Sequence, residues 1–156
     1  MKADLKVVAV LQAALGAHWL AMEQYRAQAA HLARAGYSRL AKAAAADVAE
    51  EGEHADRLLR RLEEFEVAPA YDHPSPLFPR LPDYVGMLEA NLRLEQAACD
   101  LEREGVVICR LAQDEQTARL LAENLAGSEE SVVKIEAALA QIRAVTLPQW
   151  LAGMME

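Results

Sequence analysis

The chain has 156 residues, of which 53% are apolar, 5% aromatic and 26% charged, and it carries a formal net charge of -8. That length is enough for one domain, 1–156, with a substantial core, and the alanine- and leucine-rich composition favours helix packed on helix over a sheet. The acidic balance, with no dense lysine and arginine cluster, argues against a protein that neutralises a nucleic-acid backbone.

The first predicted helix spans about 4–35, with Val8, Leu11, Leu15, His18, Met22 and Tyr25 on one stripe. Gly36 is placed as its C-terminal cap and Ser38 as the N-cap of a second helix over about 38–65. So short a connection folds the two helices into an antiparallel hairpin. No apolar run approaches the roughly 20 residues that cross a bilayer, which points to a cytoplasmic protein. The apolar stripe of the second helix reads Leu40, Ala44, Asp47, Glu51, His54, Leu58 and Leu62. Glu51 and His54, three apart, leave this face about one turn from each other, and burying either without a partner is costly.

Residues 66–82 contain Pro69, Pro74, Pro76, Pro79 and Pro82, which forbids a continuous helix. About 17 residues at ~3.3 Å each reach ~55 Å, whereas a 28-residue helix is ~42 Å long. The link is therefore read as a crossover that travels the length of the bundle and sets the third helix parallel to the second. That helix, about 83–111, starts at Asp83 as N-cap and shows Met87, Leu88, Asn91, Glu95, Ala98 and Glu102 on its inner side. Cys99 and Cys109 lie ~15 Å apart along it, too far to bridge, and read as reduced core residues. A fourth helix over about 116–144 buries Leu121, Leu125, Ser128, Val132, Ile135, Leu139 and Ile142, and Thr146 caps a short fifth helix over about 147–154.

Each long helix thus carries a polar residue on its apolar stripe near mid-length: His18, Glu51 with His54, Glu95, and Ser128 with Ser131. Mid-helix residues of bundled neighbours fall at one level, so these should converge. The halves also repeat, since Glu51 follows His18 and Ser128 follows Glu95 by 33 positions. Two hairpins, one long crossover and this polar level describe an all-α, ferritin-like four-helix bundle. In its complete form a glutamate from each of two helices and Glu-x-x-His from each of the others hold two metal ions.

The chain resembles the bacterioferritins over essentially its whole length: Met1-Lys2-x-Asp4-x-Lys6-Val7, Leu15-Gly16, Gln24-Tyr25, Glu51-x-x-His54-Ala55-Asp56, Glu95 and the terminal helix around Trp150. The resemblance implies a 24-subunit cage that oxidises ferrous iron at a di-iron centre and stores ferric mineral. It also marks departures. His18 stands at the family's first-helix glutamate, Ser128 and Ser131 stand at its second Glu-x-x-His, and Gly52 stands at the haem-ligating methionine. By resemblance, half of the di-iron centre and the haem ligand are missing, so no haem is expected.

Two carboxylates, Glu51 and Glu95, balance one divalent ion rather than two. With His18 and His54 they form a set suited to iron or zinc. The expectation is a mononuclear site with weak or absent ferroxidase activity, and with Tyr25 able to hydrogen-bond it. The alternative is a metal-free layer in which His18 and His54 pair with Glu51 and Glu95. Ser128 and Ser131 fill space, and Glu50 has an acidic, cavity-facing counterpart in the family. Two functions follow: an iron-storage or metal-binding cage subunit, forming a homo-oligomer, or a structural subunit that co-assembles with a complete bacterioferritin.

Overall fold

The structure, a computed structural model, describes residues 2–70 and 83–155. Five helices follow in order: α1 (Leu5–Arg34), α2 (Ser38–Glu64), α3 (Tyr84–Leu111), α4 (Glu115–Val145) and α5 (Leu147–Ala152). The sequence-based boundaries agree to within two residues, which is the usual fraying of a helix end. The described part of the link, Glu66–Ala70, runs beside α1: Gln12 donates to the Ala68 carbonyl at 2.8 Å and accepts from the Ala70 amide at 2.7 Å. The rest of the expected crossover lies outside the described residues.

Cross-helix contacts give the directions. His18 meets Glu102, Tyr25 meets Glu95 and Gln28 meets Asn91, so α1 and α3 are antiparallel. Arg61 meets Thr117 while Asn124 meets the His54 carbonyl, so α2 and α4 are antiparallel as well. With α1 and α2 joined as a hairpin, α3 runs parallel to α2, as the length argument required.

The helix ends show which capping signals hold. Gly36, at φ +91°, ends α1: its amide donates to Ala33 O and the Tyr37 amide to Leu32 O, which satisfies two terminal carbonyls. Asp83 caps α3 through the Gly86 amide at 2.9 Å. Ser38 is not the N-cap of α2. It is the first helical residue, and Tyr37 takes the cap position without a side-chain bond, because the tight Gly36 turn starts the new helix one residue early. Thr146 precedes α5 but its side chain caps nothing.

The core falls into two clusters on either side of mid-length. One joins Val7, Leu11, Leu15, Leu58, Leu62 and Leu121; the other joins Leu32, Leu40, Met87, Leu139, Ile142 and Trp150. Trp150 stacks on Tyr84 with ring centroids 5.6 Å apart, so α5 is pinned to the second cluster. Cys99 and Cys109 are buried free thiols. Contrary to the run-length argument, α1 is long and apolar enough to cross a membrane. Here the helix spends its apolar face on the bundle, with Val7, Leu11, Ala14 and Leu15 fully buried beside the polar His18, Gln24 and Gln28.

The α2–α4 contact is closed by a buried cation the stripe did not flag. Arg61, 3% exposed, donates from Nε to Thr117 Oγ1 at 2.8 Å and from Nη2 to Asp114 Oδ1 at 3.0 Å; it also pairs with Glu64 and lies over the Phe65 ring. Asp114 in turn caps α4 through the Thr117 amide and accepts from its hydroxyl. Partial burial works against the Asp114 charge, but the Thr117 bonds and the Arg61 guanidinium outweigh it and hold this carboxyl below its ordinary range. A carboxyl whose pKa is lower folded than unfolded contributes stability above its unfolded value of about 3.9, and that contribution vanishes as pH falls through the folded value. Asp114→Asn keeps the cap and loses the charge. It is expected to cost about 1–2 kcal/mol near neutrality, with the gap to wild type in urea unfolding closing as acidification carries the pH below the ordinary carboxylate range and through the lowered folded value.

Candidate metal centre

Between the two apolar clusters lies a layer in which polar side chains replace the core. His18, Glu51, His54, Glu95 and Glu102 are all 4% exposed or less. His18 is its hub. Its Nδ1 lies 2.5 Å from Glu51 Oε2 and its Nε2 lies 2.7 Å from Glu102 Oε1, so α1 is clamped to α2 and α3 through one ring. The His54 ring stands edge-on to His18, centroids 4.9 Å apart, with Nδ1 3.8 Å from Glu51 Oε2 and no hydrogen-bond partner. Tyr25 donates its hydroxyl to Glu95 Oε1 at 2.6 Å, which leaves Glu95 Oε2 unpartnered. Glu102 Oε2 and Ser128 Oγ are also buried without partners.

The charges follow from these contacts. Burial alone would depress the His18 imidazolium, but hydrogen bonds to Glu102 and Glu51 outweigh it and hold its pKa at about 10. Burial would likewise raise Glu51, yet the bond to His18 and the adjoining His54 bring it to about 2. Burial and then the Glu51 charge push Glu95 up to about 9, so it is protonated at neutral pH; the Tyr25 hydroxyl and the His18 charge favour the carboxylate but are outweighed. Tyr25 is raised by burial and by Glu95 and stays a hydrogen-bond donor.

Sequence reasoning placed His18, Glu51 and His54 together, and the fold brings them together: one ligand atom from each lies within 4.8 Å of the others. Glu95 reaches the same layer beside Glu51 and takes the Tyr25 bond in the role foreseen for that hydroxyl. The partner expected for His18 differs, because its second nitrogen is taken by Glu102 rather than Glu95. A signal existed. Glu102 sits two turns from Glu95 on the same α3 stripe, and antiparallel α1 and α3 that set Tyr25 against Glu95 must set His18, seven residues earlier, against Glu102. Ser128 lies in the buried layer, whereas Ser131 is only half-buried and lines a cavity one turn away.

The donors present fit one cation. Glu51, His54 and the Nδ1 side of His18 converge, and a carboxylate on the far nitrogen, here Glu102, is the usual means of orienting a metal-binding imidazole. His18 takes that role by giving up its proton and its bond to Glu51, and Glu95 joins the set by giving up its own proton. Among the described residues no second such group of donors is found, and α4 presents Ser128 in the layer.

Gly127 on α4 makes room for His54. A Cβ there would stand 2.6 Å from His54 Nε2 and 2.8 Å from its Cε1, with Glu50 Oε1 at 3.3 Å. Gly127→Ala is expected to destabilise by about 1 kcal/mol, because crowding the buried imidazole costs about 1–3 kcal/mol and the helix gain of alanine over glycine, about 1 kcal/mol, offsets only part of it. It should also push the imidazole out of the layer. Cation affinity is expected to fall roughly tenfold, as in loss of a supporting contact, with only a small drop in melting temperature, read by Co²⁺ titration beside a thermal melt.

An antiparallel four-helix bundle whose core is interrupted at mid-length by carboxylates and imidazoles from three helices defines a ferritin-like fold with a metal-type layer. Comparison with known proteins agrees. Residues 8–145 match the family model described as the ferritin-like domain. The chain is 35% identical over 140 residues to a protein named bacterioferritin from Brucella melitensis, covering 89% of this chain and 86% of that one. It is 29% identical over 134 residues to a bacterial ferritin from Pseudomonas aeruginosa, covering 83% of each. The chain belongs to the ferritin family, on its bacterioferritin side.

Proposed function

We propose that this chain is a subunit of a bacterioferritin-like iron-storage cage, cytoplasmic as its sequence suggests, in which each subunit holds one divalent ion, iron or zinc, at His18, Glu51, His54 and Glu95. The observation that carries the reading is the convergence of His18, Glu51 and His54 within 4.8 Å, beside the unpartnered buried atoms His54 Nδ1 and Glu95 Oε2. Buried polar atoms without a protein partner call for a bound water or an ion. Bound there, the ion would act as a Lewis acid and, if iron, as a one-electron donor. With ferrous iron as substrate, one centre has no second iron to share the electrons passed to dioxygen, so oxidation should be slow. Metal analysis of protein expressed with iron and zinc available tests the reading. About one ion per chain is expected, and close to two, or none, would overturn it.

One observation favours the second reading, a structural subunit within a mixed cage. Both nitrogens of His18 are already engaged by carboxylates, which closes that side of the layer without an ion. Purification alone and together with a ferroxidase-competent bacterioferritin separates the two: a cage that mineralises iron unaided excludes the structural role.

A further inference from the structure

The buried donors need a route, since none of the layer is open to solvent. A cavity of about 320 Å³ lies between α2 and α4, where Ala43, Ala44 and Ala138 are too small to close the gap. Its wall includes Asp47, Asn91 and Ser131, each one turn from a member of the layer on its own helix: Glu51, Glu95 and Ser128. It also includes Tyr25, whose hydroxyl is bonded to Glu95. The cavity therefore approaches the layer along all four long helices and ends on a side chain that touches a donor. At about 30 Å³ per water it holds roughly ten waters, more than the six a hydrated divalent cation carries. Asp47, half-buried, offers a carboxylate inside it, and Lys134, exposed on α4 and 3.5 Å from Glu130 Oε1, places an ammonium on the same wall.

We propose that this cavity is the antechamber through which a hydrated divalent cation enters the buried layer, with Asp47 as its first protein ligand, Tyr25 as the partition at its inner end and Lys134 as an electrostatic brake. The proposal rests on the single-ion reading above and adds the path and its control. A passage changes the rates of loading and release together and leaves the affinity alone. A ligand changes the affinity.

Stopped-flow loading of the metal-free assembled protein with Co²⁺, followed by its visible absorption, separates these. Ala138→Phe, which fills the gap, is expected to slow association and dissociation at least tenfold, with affinity within about twofold and stoichiometry unchanged. Lys134→Glu, a surface change that does not threaten folding, is expected to speed association severalfold, most at low ionic strength. Unchanged rates in both variants, with wild-type protein still binding one Co²⁺ per chain, would overturn the passage and leave the site standing. Wild-type protein that binds no Co²⁺ would overturn the single-ion reading, and the passage with it. If Ala138→Phe does not fold, Lys134→Glu alone decides: no acceleration at low salt rejects the route.

Discussion

Arg61→Ala is expected to destabilise the chain by about 3 kcal/mol, the low end of the cost of breaking a buried charged pair, and to lower the melting temperature by about 10 °C for a chain of this size. The guanidinium is 3% exposed and ties three neighbours at once, Thr117, Asp114 and Glu64, while its face covers Phe65. Alanine removes the cation and its packing, and leaves the start of α4 attached to α2 mainly through apolar contacts. Arg61→Lys should recover little, because an ammonium cannot make the forked contacts that reach two helices. Thermal and urea unfolding check this, and a loss below about 1 kcal/mol would show the cluster to be ornamental. The Asp114→Asn result bears on the same cluster, since acid should erase that variant's deficit.

Glu51→Ala is expected to weaken Co²⁺ or Zn²⁺ binding by more than about 100-fold, beyond the 10- to 100-fold range typical of supporting groups. Glu51 contacts His18, stands beside His54 and adjoins Glu95. Its loss takes the only carboxylate in the layer held ionised by two imidazoles. Glu102→Gln should fall inside the 10- to 100-fold range, because the amide can still hold His18 Nε2 through its oxygen while the charge is lost. Competition titration against a chromophoric chelator reads both variants. Equal losses would mean that Glu102 is a ligand in its own right, and no loss in Glu51→Ala would remove the site from the positions named here.

Much of this was legible in local pattern. Helix lengths, the antiparallel hairpin and the buried stripe of α2 follow from a 3.6-residue period, and seven side chains from Leu40 to Leu62 fall along that stripe with only Asp47 not fully buried. The Glu51-x-x-His54 pair was visible for the same reason, as was the lack of metal-binding side chains at Ser128 and Ser131. Local pattern misplaced Ser38 as a cap, because which residue starts α2 is set by the turn at Gly36 rather than by cap chemistry.

What the sequence by itself determined, then, is most of the inward face of α2 and α3, since periodicity is a property of one helix at a time; on α4 the expected stripe is only half-buried at Leu125, Val132 and Ile135, and Asn124 is buried instead. What only the tertiary structure decided is who meets whom. His18 bonds to Glu102 because the α1–α3 register sets them opposite, and His54 enters the layer because the facing position on α4, Gly127, has no Cβ. Arg61 reaches Asp114 because α2 and α4 are antiparallel, and a cavity opens beside Asp47 because small residues from two helices coincide there. Each of these depends on the offset and separation between helices, which are fixed by the packing of the whole core.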